Sequence, residues 1–172
     1  MSRSTLANPG VACNDDRDPK PDSTVQRMIM TQTKPQILVV GAAILEGNRC
    51  WAARRAAHVH SAGLWEFPGG KVETGEDPEA ALEREILEEM NLSVQVGSWI
   101  GRGTVDQDTR IIVLDVYRCR LDAPLNVDDL RLTDHDALRC LSIDELGSVT
   151  WADADIPILD PLAQLLRSLP ST

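Results

Sequence analysis

The sequence predicts an α/β domain. Three observations carry that prediction. Short apolar runs with β-branched members recur along the chain, as in Gln36 to Leu45 and Arg110 to Arg120. A capped, charged helix interrupts them after Asp77-Pro78, and a second apolar segment at helical spacing, Ile156 to Leu169, closes the chain. Strands on both sides of a helix, with another helix at the end, call for a sheet covered by helices.

Each element has its own local cause. Residues 1–34 are polar, rich in Pro, Asp, Ser and Asn, and carry no period, so a disordered leader is expected there and one folded domain over 35–170. Met28 and Met30 lie just before the folded part and offer alternative translation starts; a native peptide from residues 2–20, found by mass spectrometry, would sink that idea. Gln36 to Leu45 reads as a strand, Glu46-Gly47-Asn48 as a hairpin turn and Arg49 to Arg55 as the returning strand. Ala56 to Gly63 is a loop with His58 and His60, read as solvated or structural. Gly63 to Phe67 is a short strand that Pro68 ends, and Gly69-Gly70 permit close backbone approach. Trp65 is expected in the core.

Asp77 is a good N-cap and Pro78 fits the first helical turn. The apolar stripe of this helix is read as Ala80, Ile86, Leu87 and Met90, roughly opposite its carboxylates, with Asn91 as a left-handed C-cap. Leu92 to Ile100 is a half-buried strand and Arg110 to Arg120 the clearest long one. Asp122 to Thr133 is a polar connection, Ala137 to Leu141 a short strand, and Ser142 to Leu146 a capping-box turn.

Bulk properties narrow the function. The chain of 172 residues fits one domain, and its apolar content of 42% can supply one core. A net charge of -10 argues against stable nucleic-acid binding or an anionic membrane surface. A polyphosphate would also be repelled unless a metal and local basic residues intervened. No stretch approaches the ~20 apolar residues of a membrane span, and no apolar segment near the N-terminus marks a secretory signal. Cys13, Cys50, Cys119 and Cys140 form no CxxC pair, which fits idle thiols in a reducing cytoplasm.

The chemistry concentrates in Gly69 to Leu92. Glu85, Glu88 and Glu89 stand at i, i+3 and i+4 and so share one side of the helix. Like charges so close repel unless a cation sits among them, and oxygen-only ligands suit Mg²⁺, with Mn²⁺ the other choice. A solvated acidic face is the competing reading. Gly70, five residues, Glu76, seven residues, then Arg84-Glu85-Ile86-Leu87-Glu88-Glu89 matches the box of the Nudix hydrolases, with Asn91 in place of the usual Gly. Asn tolerates the left-handed conformation that such a cap needs. Six specified residues at fixed offsets arise by chance in about one window in ten million. The flanks, Arg54-Arg55 and Leu64 to Glu73, and Ala154 to Leu159 near the end, resemble the MutT branch, which sanitises nucleotide pools, and its relatives acting on CTP and modified pyrimidine nucleotides.

The resemblance implies a Nudix α-β-α sandwich with a mixed central sheet, and hydrolysis of a nucleoside triphosphate to monophosphate and pyrophosphate. It implies Mg²⁺ held by Glu85, Glu88, Glu89 and the Gly69 carbonyl. Arg84 and Glu76 would hold those carboxylates in place, and Asp134 is a candidate base, or else a solvated loop acid. Arg55 and Arg110 resemble nucleotide-contacting arginines, with surface arginines as the alternative. Phe67, Gly70, Lys71 and Asp155 complete the expected substrate contacts, Asp155 at the base edge. The expected partner is a small-molecule nucleotide, and the expected protein a cytoplasmic monomer or homodimer. The leading substrate is an oxidised nucleotide such as 8-oxo-dGTP. A pyrimidine triphosphate (CTP, dCTP or 5-methyl-dCTP) is the alternative, and a Nudix-fold binding module without turnover a remote one, disfavoured by the intact box.

Overall fold

The structure is a computed structural model that describes residues 33–125 and 129–170. The leader expected over 1–34 lies outside the described residues save for its last two positions. Seven strands form one mixed sheet: β1 (Gln36–Glu46), β2 (Arg49–Arg55), β3 (Trp65–Glu66), β4 (Gly69–Lys71), β5 (Val94–Asp106), β6 (Ile111–Leu121) and β7 (His135–Leu141). Helix α1 spans Pro78–Met90 and α2 spans Leu159–Ser168. β1 runs parallel to β6, and every other ladder is antiparallel.

The alternation of β1 divides the core. Val40, Ala42 and Ile44 point to one face, where they meet Ala81, Leu82, Ile86 and Met90 of α1. Ala43 points to the other, among Trp65, Phe67, Trp151 and the α2 residues Leu162 and Leu166. Period-two side-chain direction thus produces the α-β-α layering. Leu82, Ile86 and Met90 are each at most 1% exposed; full burial of such a side chain contributes roughly 1.5–3 kcal/mol.

Helix α1 starts where its cap predicts. Asp77 Oδ1 accepts from the N–H groups of Glu79 and Ala80, at 3.0 and 3.4 Å. Asn91 ends it at φ 56°, and the Leu92 N–H reaches back to the Ile86 carbonyl. The apolar stripe is a correction. Ala80 is exposed and Leu87 is 52% exposed, whereas Ala81 and Leu82 are buried. At ~100° per residue, Glu85 and Glu89 fall between Ala81 and Leu82 on the sheet side, not opposite the core. The sheet makes room for them with glycine.

The two glycines do more than permit close approach: Gly69–Lys71 is itself a strand, paired with Val39 to Gly41. β4 and β2 divide one edge of β1. β2 takes Ile44 to Glu46 and β4 takes Val39 to Gly41. β5 also runs on past Ile100 to Asp106, through Gly101 and Gly103. A Cβ on Gly103 would meet the Ala154 carbonyl oxygen at 1.7 Å, so the strand keeps glycine where the closing segment crosses it. β7 begins at His135 rather than Ala137. The closing segment opens with a 3-10 turn, Ile156–Ile158, before α2. Trp65 is buried, as expected. Cys50, Cys119 and Cys140 are free thiols. No helix among the described residues is long and apolar enough to cross a membrane.

Candidate active site

The site is assembled around β4 and α1. A Cβ on Gly70 would lie 2.3 Å from the Glu85 carboxyl carbon, and one on Gly69 would lie 2.0 Å from the Val40 carbonyl oxygen. A side chain at Gly69 would break the close approach of β4 to β1, and one at Gly70 would displace the Glu85 carboxyl. Behind this contact, Arg84 grips Glu76 with a two-pronged pair, Nε to Oε1 at 2.9 Å and NH2 to Oε2 at 3.0 Å. Glu76 Oε2 also accepts from the Glu73 N–H at 3.0 Å. These bonds, Arg84 first, hold the Glu76 carboxyl down to about 2. The same guanidinium reaches Glu85 at 2.9 Å, Glu88 at 3.4 Å and the Lys71 carbonyl at 3.2 Å.

Glu85 and Glu89 reach a cleft of about 560 Å³, whereas the Glu88 side chain is 63% exposed beside Arg84. Burial, followed by repulsion from Asp134, raises the Glu89 carboxyl from 4.5 to about 7; Glu85 and Glu66 add to the effect and His135 opposes it. Among the described residues, no three acidic, imidazole or thiol groups converge tightly enough to form a metal cluster. The donors nonetheless suit a hard divalent cation: they are all oxygen, and the repulsion from Asp134 and Glu85 that adds to the effect of burial on Glu89 is of the kind a cation relieves.

The opposite wall of the cleft carries the longer-range contacts. Arg55 NH1 donates to Glu66 Oε2 at 2.6 Å and its Nε to the His60 carbonyl at 2.5 Å. Arg110 Nε donates to Gln107 Oε1 at 2.7 Å. Asp155 is 3% exposed, and its Oδ1 accepts from the Phe67 N–H at 2.8 Å. Burial pushes the Asp155 carboxyl well above the usual range, so the neutral acid is favoured. Phe67 is buried against Trp151, their ring centres 5.0 Å apart, with an edge on the cleft.

Of the thirteen residues expected in the site, ten line this one cleft: Arg55, Phe67, Gly69, Gly70, Lys71, Glu85, Glu89, Arg110, Asp134 and Asp155. Glu76, Arg84 and Glu88 stand outside it, on the solvent side of the glycine strand and helix.

A match to the NUDIX domain family spans residues 35–162. The chain belongs to the Nudix family of hydrolases. This Nudix domain is 35% identical over 135 residues to the CTP pyrophosphohydrolase of Escherichia coli (strain K12), a match covering 78% of the chain and 97% of that protein. It is 37% identical over 133 residues to the putative 8-oxo-dGTP diphosphatase 2 of Mycobacterium tuberculosis, covering 76% and 90%. Among solved structures it is similar to the MutT protein of methicillin-resistant Staphylococcus aureus 252, a Nudix hydrolase, with TM-score 0.63 and 38% identity over 77% of this chain and 99% of that one.

The cleft wall also brings in residues that sequence reasoning left unassigned: Glu66 and Gln107 line it, and His135 bonds Glu66. Glu66 sits inside the recognised stretch Trp65-Glu66-Phe67-Pro68, and His135 directly follows Asp134. Gln107 lies in the β5–β6 turn just ahead of Arg110. Each stands next to an assigned residue, and that adjacency is the signal that could have found them.

Proposed function

We propose that this protein is a nucleoside triphosphate diphosphatase, releasing monophosphate and pyrophosphate, with oxidised nucleotides such as 8-oxo-dGTP its leading substrates. The observation that carries the reading is a single cleft with carboxylates at one end and Asp155, Phe67 and Arg110 lining the rest.

Glu85, Glu88, Glu89 and the Gly69 carbonyl would hold Mg²⁺, or Mn²⁺ in its place. When bound, the metal neutralises phosphate charge and lowers the pKa of water. Arg84 and Glu76 keep the carboxylates aimed at the cleft. Water attacks the β-phosphorus; an O–P bond forms there as the bond to the α–β bridging oxygen breaks, and that oxygen leaves with the monophosphate. Asp134, or one of the glutamates, accepts the proton from water. Lys71 meets a phosphate as a point charge, and Arg55 and Arg110 contact the nucleotide.

The neutral Asp155 carboxyl can both donate and accept a hydrogen bond. Guanine offers two acceptors, O6 and N7, on its outer edge. Oxidation at C8 places a hydrogen on N7, so that edge becomes one acceptor and one donor, which a neutral carboxyl complements. Cytosine also pairs an acceptor, N3, with a donor, its amino group. The likeness to a CTP pyrophosphohydrolase over 97% of its length therefore supports a pyrimidine-preferring second reading.

A pyrophosphate-release screen with Mg²⁺ over 8-oxo-dGTP, dGTP, CTP, dCTP and 5-methyl-dCTP, compared by kcat/KM, tests both readings. A preference for 8-oxo-dGTP over dGTP of at least ~10-fold is expected. Highest kcat/KM with a pyrimidine selects the second reading, and no release from any triphosphate defeats the function.

A further inference from the structure

His135 opens β7 with a side chain only 1% exposed. Its Nε2 lies 2.9 Å from Glu66 Oε1. Its Nδ1 is the one buried side-chain polar atom without a protein hydrogen-bond partner among the described residues. Burying an unpaired nitrogen costs free energy that an apolar side chain of similar volume would avoid. Packing alone does not account for an imidazole here, whereas the Nε2 contact does. An ionised carboxylate only accepts, so Nε2 carries the hydrogen in this pair.

Glu66 stands between two groups. Oε1 faces His135, and Oε2 accepts from Arg55 NH1 at 2.6 Å. With both oxygens engaged, the carboxylate cannot turn about its last bond without losing a partner. Arg55 and His135 are register partners on β2 and β7, and the Ala56 N–H donates to the Asp134 carbonyl at 2.9 Å, which fixes the strand ends together. The geometry assigns His135 as a positioning residue: through Glu66 it presets the Arg55 guanidinium in the cleft wall, where it meets the anionic end of the nucleotide. The part played by Arg55 rests on the function proposed above.

The test uses the full chain with His135→Leu, which removes the donor, and His135→Gln, whose amide can replace it. In the nucleotide-free protein, the resonance of the Arg55 guanidinium NH1 protons, which bond Glu66, should be sharp in the parent and in His135→Gln and broadened in His135→Leu. With Mg²⁺ and the best nucleotide of the screen, His135→Leu should raise KM about tenfold with kcat within about twofold, and His135→Gln should restore most of the loss. An unchanged Arg55 resonance in His135→Leu overturns the link. A fall in kcat at unchanged KM overturns the positioning role. If His135→Leu does not fold, Glu66→Gln takes its place, since it withdraws charge from Arg55 while keeping an amide towards His135; the same rise in KM is expected, and unaltered KM overturns the inference. A parent inactive on every nucleotide defeats the proposed function, and the Arg55 resonance then decides the link by itself.

Discussion

Gly70 and the Glu85 carboxylate occupy adjoining space: a Cβ on the glycine would sit 2.3 Å from that carboxyl group. The contact joins β4 to α1 at the acidic end of the cleft. Gly70→Ala should therefore displace Glu85 and lower kcat by about 100-fold, the scale of a misplaced reacting group. Folding should survive, because the Glu85 carboxyl is the free end of a flexible side chain and can move where a packed core cannot. Steady-state kinetics alongside a thermal melt measures both, and activity within threefold of the parent would remove Gly70 from the cradle.

Glu89→Gln should reduce turnover by orders of magnitude, as should EDTA. Its effect on stability has the opposite sign. The carboxyl is raised from 4.5 to about 7, so the folded protein binds more protons than the unfolded chain between those values. Parent stability then falls as pH rises from about 4.5 to about 7, and levels off above. In EDTA, the melting temperature of Glu89→Gln should overtake that of the parent across this window. Parallel curves would contradict the burial of this acid.

Asp155 follows the same sign and adds a selectivity readout. Burial raises its carboxyl, so ionisation opposes folding as pH climbs past the ordinary value. Asp155→Asn retains an acceptor for the Phe67 N–H and carries no charge. It should melt higher than the parent at pH 8 and like it at pH 4. Asp155→Ala should disturb the ranking of bases more than the hydrolysis itself; an unchanged nucleotide ranking would exclude Asp155 from base contact.

Gly103 supports Asp155 from beneath. With the Ala154 carbonyl 1.7 Å from the position of an added Cβ, Gly103→Ala must shift the segment bearing Asp155. A cost of roughly 1–3 kcal/mol is expected from such overpacking, together with a loss of base preference that exceeds the loss of kcat. Urea denaturation and the nucleotide screen report the two effects separately, and a variant with parental selectivity would show that the segment is not held there.

What could be read from the sequence was local. The cap at Asp77, the αL residue Asn91 and the offsets of Glu85, Glu88 and Glu89 each depend on neighbours within a few positions, and the strands β1, β2 and β6 announce themselves by composition. The buried face of α1 differs from the one its apolar residues mark, since Leu87 is exposed and Glu85 and Glu89 face the sheet. Glu85 and Glu89 turn inward only because a strand of glycines lies across from them, and that pairing is made by β1, not by the helix. β5 was cut short for a related reason: Gly101 and Gly103 look like strand breakers until the Asp155 segment is laid against them. Glu66 and His135, 69 positions apart, have no local pattern to join them.

The stretch from Phe67 to Gly70 has one more consequence. The Phe67 N–H holds the Asp155 carboxyl group, and Gly70 receives Glu85. Only two residues, Pro68 and Gly69, separate these contacts, so at most about 10 Å of chain joins them. The stretch is a ruler ruled in covalent bonds: it sets how far the Asp155 contact can lie from the Glu85 contact. Adding one residue would lengthen the measure and turn every following side chain to the opposite face. Cleft side chains such as Gln107 and Arg110 can be exchanged without altering that distance, which is written into the backbone.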